Sequence, residues 1–402
     1  MNSPVLQRLL LVRGLRAFAD GYVSLLLPLY LIALGMTPLQ VGIIATSTLL
    51  GSSVLTLAVG LYAYRFTYRG LLLAASLLMA GTGLGFAVLT DFWPLLVIAF
   101  VGTLNPSSGD VSVFLPLEHA VLSHSVADRD RTALFARYSI VGTVVAAFGS
   151  LTASMPDLLV GTTHVTLKGA LQAMFSLYAA IGLMSALIYR MLPVGVGQVT
   201  YGKAAPLKDA RKAVYTLAAL FSLDSLAGGL VVQSMIALWL FQKYQLSVIF
   251  TATLFFWTGL LSAVSYLVAV RIAGRFGLLN TMVFTHLPSS VFLVLIPFMP
   301  SLGWAIALLL ARAALSQMDV PTRSSYVMAI VPPAERAAAA SVTAVPRSLA
   351  AAIGPLMAGY LLGVSSFGLP LVIAGVLKIT YDLLLLFSFR TAQAPEEMQR
   401  NG

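Results

Sequence analysis

Apolar runs of about twenty residues or more follow one another along almost the whole 402-residue chain, which leaves it few ways to fold. At about 1.5 Å of rise per residue, such a run taken as helix spans the ~30 Å hydrocarbon core of a bilayer. In lipid every backbone N–H and C=O needs an internal partner, so only helices and closed barrels cross. The runs lack the ten-residue alternation of barrel strands, and helices follow. Charged residues make up 9% of the chain and hydrophobic ones 59%, whereas a soluble domain carries about 25% charge. The expected fold class is an all-α membrane protein.

Twelve spans are read, near 9–33, 39–63, 70–90, 94–122, 134–156, 168–191, 214–241, 248–270, 278–299, 302–330, 339–363 and 366–389. Turn signals separate them, such as Gly35 to Pro38, Met155 to Asp157, and Met299 with Pro300. The N-terminus does not read as a cleavable signal, because Arg13, Arg16 and Asp20 interrupt its apolar run. The most polar stretch, Pro193 to Lys212, separates the sixth span from the seventh.

Lys and Arg in the loops set the orientation. Arg8, Arg65, Arg69, Arg190, Arg275 and the basic residues of Lys203 to Lys212 fall on one side, and Lys168 and Lys243 on the other. Both termini and the linker are expected in the cytoplasm. The localisation is a multi-pass plasma membrane protein, in the inner membrane if the source is bacterial. The net charge of +10 belongs to loops facing anionic lipid and not to nucleic-acid binding.

An internal repeat organises the chain. Asp110 recurs as Asp319 at an offset of 209, and Arg137 as Arg347, Gly149 as Gly359 and Arg65 as Arg275 at 210. The expected domains are a six-helix half at 1–192, a cytoplasmic linker at 193–213 and a second half with a short tail at 214–402. Binding sites in duplicated membrane proteins of this kind lie between the copies, near mid-membrane.

A charge at the bilayer centre costs about 2.5–3.5 kcal/mol, so charges inside spans are functional candidates. Acids occur in the first, fourth, seventh and tenth spans, at Asp20, at Asp110 and Glu118, at Asp224 and at Asp319. Arg16 with Asp20, Asp319 with Arg323, and Lys378 with Asp382 have i,i+4 spacing, which permits self-neutralising pairs. Asp224 has no cation within four residues on its own helix, which makes it the first candidate proton carrier, with Asp20 second. The candidates for proton coupling or the substrate cavity are Asp20, Asp224, Glu118, Arg16, Arg323 and Asp319. Arg65, Arg69, Asp110, Arg137, Arg275 and Arg347 are the gating candidates. Glu118 with His119 sits near the end of its span, as a snorkelling or gate-forming pair or as a proton relay. Tyr30, Gln233, Trp239 and Trp257 are candidate cavity-lining residues. The histidines are scattered without metal spacing, the chain has no cysteine, and no phosphate-binding Gly-rich loop precedes a lysine.

These features resemble the major facilitator superfamily of secondary transporters. Its loop between the second and third helices has the pattern Gly-x-x-x-Asp-Arg-x-Gly-Arg. Gly60, Arg65 and Arg69 keep the first glycine and both basic positions, while Tyr64 and Thr67 replace the aspartate and second glycine. In the second copy Arg275 and Gly277 remain. Val331 through Glu335 and Arg336 to Gly354, Pro355 and Gly359 looks like the family's loop from helix ten into helix eleven. The resemblance implies twelve helices in two pseudo-symmetric halves that rock about a central site. It further implies no enzymatic activity, no cofactor or metal, a monomer, and a small solute and protons as partners. An excess of acids in the central helices favours proton-coupled export by antiport of a small amphipathic solute. The alternatives are an uptake symporter for an organic anion and a non-transporting sensor or assembly protein of the same fold.

Overall fold

A computed structural model describes residues 4–62, 65–107, 112–123, 131–193, 207–208, 210–332 and 335–389. Among these there are helices and no strands. In chain order the helices are α1 (Pro4–Ala33), α2 (Pro38–Tyr62), α3 (Tyr68–Val88), α4 (Phe92–Val101), α5 (Phe114–Ser123), α6 (Arg131–Thr152), α7 (Met155–Thr162) and α8 (Leu167–Arg190). They continue as α9 (Arg211–Leu230), α10 (Gln233–Tyr244), α11 (Val248–Phe276), α12 (Leu278–Leu295), α13 (Leu302–Leu315), α14 (Asp319–Ile330), α15 (Arg336–Val364) and α16 (Leu369–Phe389).

Among the described residues ten stretches are long and apolar enough to cross a membrane, counting Leu134–Thr162 and Arg211–Tyr244 as one each although each contains a break. The shorter apolar helices α4 and α13 are each followed by a second helix, α5 and α14, within the expected spans 94–122 and 302–330. The chain is a multi-pass membrane protein. Most of the expected linker, and the termini, lie outside the described residues.

Local chemistry sets the joints. Gly35, at φ 86°, turns the chain out of α1, and the N–H groups of Gly35 and Met36 close on the carbonyls of Ile32 and Leu31. Thr37 and Gln40 then open α2 as a reciprocal cap. The Thr37 N–H donates to Gln40 Oε1 at 2.8 Å, and the Gln40 N–H to Thr37 Oγ1 at 3.3 Å. Between α4 and α5, Asn105 Oδ1 accepts from the Ser107 N–H at 3.0 Å and from its hydroxyl at 2.7 Å, which stabilises a turn where a continuous helix would run. The Ser234 N–H, at the start of α10, donates to the Pro106 carbonyl at 3.1 Å.

By packing, residues 1–200 with 232–256 form one compact unit and residues 201–231 with 257–402 another. Helix α10, which follows the linker in sequence, packs on α1 in the first unit. In that unit α1 packs on α6 and α3 on α8. Gly21 rests on the Ala146 carbonyl and Gly149 on that of Phe18, so a Cβ at either would overlap backbone. In the second unit the main pairs are α9 with α15 and α12 with α16. Gly229 and Gly354 meet there backbone to backbone, and Gly375 lies against Ser290 and Val294. Small residues at crossings let helices approach closely where no water drives them together. The same two pairings, first span with fifth and third with sixth, occur in both units.

Candidate functional site

Each unit buries one polar network. In the first, Glu118 on α5 is fully buried and accepts three hydrogen bonds. Its Oε2 is bonded to the Arg16 guanidinium of α1 and to the Tyr138 hydroxyl of α6. Its Oε1 accepts from the Tyr189 hydroxyl of α8 at 2.5 Å. The Arg16 guanidinium lies over the Phe114 ring, 3.9 Å from its centroid, and that of Arg13 lies 4.9 Å from the centroid of Tyr138. One carboxylate thus ties together four helices. A buried charge persists when it is paired and hydrogen-bonded, as Glu118 is by Arg16 and the two tyrosines.

The second network centres on Asp224, 5% exposed on α9. Its Oδ1 accepts from Lys378 Nζ of α16 at 2.7 Å, and its Oδ2 from Arg323 of α14 at 2.7 Å. Arg323 is also bonded to Asp319, one turn earlier on its own helix. His286 of α12 stands on the other side. Its Nε2 lies 3.7 Å from Asp224 Oδ1 and 3.5 Å from Lys378 Nζ. Its Nδ1 lies 2.9 Å from Asp382 Oδ1 on α16. The Arg323 guanidinium is 5.0 Å from the Phe221 ring centroid, and His286 meets the Tyr381 ring edge-on. All six charged or titratable members are less than one-tenth exposed.

Several expectations are corrected. Asp224 is not without partners, because its two cations come from α14 and α16 and not from its own helix. Arg16 finds its partner on α5. Glu118 is no snorkelling group near a helix end but the fully buried centre of a network. Lys378 and Asp382 bond to different helices. Tyr30, expected to line a cavity, is fully buried, and its hydroxyl donates to the Phe86 carbonyl at 2.8 Å.

The Asp319–Arg323 pair stands as its spacing suggested. Asp20 is buried on α1. Arg65, in the turn between α2 and α3, and Arg275, at the end of α11, are both exposed at equivalent points of the repeat. Arg69 is half-buried in the first turn of α3. Arg137 on α6 and Arg347 on α15 are exposed. Asp110 lies outside the described residues. No metal-holding group of three or more His, Asp or Glu occurs among the described residues.

Sequence reasoning missed His286, Lys378 and Asp382 as members of one site. A signal existed. His286 is the one titratable residue of the apolar segment Leu278–Leu295. The third-with-sixth pairing then puts it against the helix that carries Lys378 and Asp382.

The family model of the Major Facilitator Superfamily matches residues 9–317. An uncharacterized membrane protein of Saccharomyces cerevisiae is 27% identical over 422 residues, covering 96% of this chain and 94% of that one. Two solved transporters share the fold. A bacterial homologue of the human lysosomal transporter Spinster, in an inward-facing and occupied conformation, matches with a TM-score of 0.76 at 15% identity, over 97% of this chain and 98% of that one. The nucleoside transporter NupG matches with a TM-score of 0.72 at 14% identity, over 96% of this chain and 100% of that one.

Proposed function

Because the chain belongs to the Major Facilitator Superfamily, we propose that it is a secondary active transporter, working by alternating access and coupled to protons through the buried network around His286. Family membership and the shared fold of solved transporters support a transporter and not an enzyme.

One observation carries the coupling. The bonded network holds the carboxylates of Asp224, Asp319 and Asp382 against the cations Arg323 and Lys378, with His286 between Asp224 and Asp382. With neutral imidazole the bonded groups carry one negative charge in excess; a proton on His286 balances them. Histidine is the member of this set that ordinarily gains and loses a proton near neutral pH. Buried ionic networks are sensitive to such balance, because an uncompensated charge in a low-dielectric interior is costly. The ring also sits on the tie between α12 and α16, so the proton acts on helix packing. Asp224, the first candidate from sequence, becomes the fixed hub, and the proton carrier becomes His286 with Asp382.

The cargo is a small organic solute. Glu118, Asp224 and Asp319, part of the excess of acids on which antiport of an amphipathic solute rested, are each bonded to an arginine or lysine. That weakens the support for export by antiport and leaves proton-coupled solute movement as the core of the proposal.

The test is reconstitution in proteoliposomes loaded with a pH-sensitive dye and challenged with organic acids, amines and neutral solutes. Solute entry accompanied by an internal pH change, lost in His286→Gln while solute exchange at equal pH persists, is the expected result. Solute uptake with no pH change in the wild-type protein refutes the coupling.

A further inference from the structure

Two nitrogens approach one oxygen of Asp224. Lys378 Nζ of α16 donates to Oδ1 at 2.7 Å, and His286 Nε2 of α12 stands 3.7 Å from it. The two nitrogens are 3.5 Å apart. With a neutral imidazole the arrangement is consistent. Asp382 accepts from the Nδ1–H, at 2.9 and 3.0 Å from its two oxygens, and Nε2 turns a lone pair to the lysine ammonium. A proton on Nε2 changes this. Two cationic N–H groups then meet 3.5 Å apart at one carboxylate oxygen, in an interior that screens charge poorly. One of them has to leave.

Packing decides which. The imidazole is 3% exposed, bonded through Nδ1 to Asp382 and set edge-on to the Tyr381 ring. Its helix is locked to α16, because Gly375 lies against the Ser290 carbonyl and Val294, where a Cβ would overlap. Lys378 is the most exposed of the six network residues, at 9%, and its ammonium hangs on a flexible four-carbon stem. Asp382, one turn further along α16, is within reach of that stem. Nor does charge balance favour loss of the lysine's own proton. With both protons held, Lys378, Arg323 and His286 balance Asp224, Asp319 and Asp382.

We infer that Lys378 is the positioning residue through which the proton on His286 acts: protonation displaces its ammonium from Asp224 to Asp382, and His286 takes over Asp224 Oδ1. The direct tie between α9 and α16 is then replaced by one that runs through α12. Loss of the proton restores the direct tie. This rests on His286 as the proton carrier and names the contact that the proton changes. The other charges around the ring keep their places. Arg323 of α14 stays on Asp224 Oδ2 and on Asp319 of its own helix. Arg312 of α13 and Arg347 of α15 act on Asp224 from further off.

Thermal unfolding of the purified full-length protein in detergent tests the exchange through two double-variant cycles, each run at pH about 8 and about 5.5. The first joins Asp224→Asn with Lys378→Met, and the second joins Asp382→Asn with Lys378→Met. At the higher pH the Tm loss of the first double variant is expected to fall short of the sum of its single losses, while the second cycle is near additive. At the lower pH the two cycles exchange roles. In a His286→Gln background neither changes with pH.

A spin-label pair covers the case in which a variant fails to fold. Tyr215→Cys on α9 and Phe387→Cys on α16 replace exposed side chains in a chain without cysteine. Their neighbours Val214 and Phe389 share one core cluster, so the labels sit at the same end of the two helices. The distance between the labels is expected to lengthen or broaden on going from pH about 8 to about 5.5, and to stay fixed when His286→Gln is added. Coupling of Asp224 with Lys378 that is equal at the two pH values, coupling of Asp382 with Lys378 that never appears, or a label distance indifferent to pH overturns the exchange. Neither measurement uses a solute or a gradient, so proton-coupled transport stands or falls separately, on the liposome assay.

Discussion

Lys378 and Asp382 lie one turn apart on α16 and hold two different helices. Lys378 Nζ donates to Asp224 of α9 at 2.7 Å, while Asp382 Oδ1 lies 2.9 Å from His286 Nδ1 of α12. Spacing alone suggests a self-neutralising pair. Packing instead makes α16 a bridge, with a cation toward one neighbour and a carboxylate toward the other. A helix whose charges are bonded to its neighbours is sensitive to any change in their balance.

Removing the charge of Asp224 is therefore expected to act on stability before it acts on transport. Asp224→Asn keeps the shape but leaves Lys378 and Arg323 facing each other with less compensation. Breaking one partner out of a buried ionic group costs about 3–5 kcal/mol. Thermal unfolding in detergent should show a lower Tm, and Asp224→Asn with Lys378→Met should recover part of the loss. An Asp224→Asn protein that melts with the wild type would mean that Asp224 is not the hub.

Asp382→Asn tests the proton carrier from the other side. The amide retains a hydrogen-bonding contact to the imidazole and lacks the negative charge that stabilises a protonated ring. Transport by this variant is expected to lose most of its dependence on an imposed pH gradient, while exchange of solute at equal pH continues. Initial rates measured from pH 5 to about 8 give the comparison, and a wild-type pH profile in the variant would place the proton elsewhere.

The first network is expected to be structural and graded. Glu118→Gln leaves the Arg16 guanidinium buried without its counter-charge and should cost about 3–5 kcal/mol. Tyr138→Phe and Tyr189→Phe each remove one donor and should cost about 1–3 kcal/mol. The three substitutions share one carboxylate, so the combined loss should fall short of the sum. Additive losses in a double-variant cycle would show that the tyrosines act independently of Glu118.

Much of the fold was legible because bilayer physics leaves few choices. Apolar run length gave the helices, and the recurrence of Arg65 as Arg275 and Arg137 as Arg347 gave the repeat. The breaks that divide α4 from α5 and α13 from α14 fall in polar stretches around Asn105 and Gln317, inside runs that apolar length alone reads as single spans. The networks were less legible for a definite reason. Partners within four residues can be read along a helix, and Asp319 with Arg323 was found that way. Partners across helices depend on rotation and depth, which the glycine contacts at Gly149 and Gly354 set and which no spacing reports. Asp224 looked unpaired from its own helix while α14 and α16 supplied its cations. His286 looked incidental until α12 was laid on α16.

Orientation in the bilayer rests on the loop charges, and a labelling experiment decides it cleanly because the chain has no cysteine of its own. Lys203→Cys places a thiol in the polar stretch between the halves, and Lys168→Cys places one at the start of α8, where the native side chain is exposed. The excess of Lys and Arg assigns the first to the cytoplasm and the second to the outside. A membrane-impermeant maleimide added to intact cells is expected to label position 168 and to spare position 203 until the membrane is opened. Lys168 lies outside the buried networks and Lys203 falls in the most polar stretch of the sequence, so both variants should fold and reach the membrane, as a blot of total protein would verify. Labelling of position 203 from outside, with position 168 protected, would invert the topology and the assignment of both termini with it.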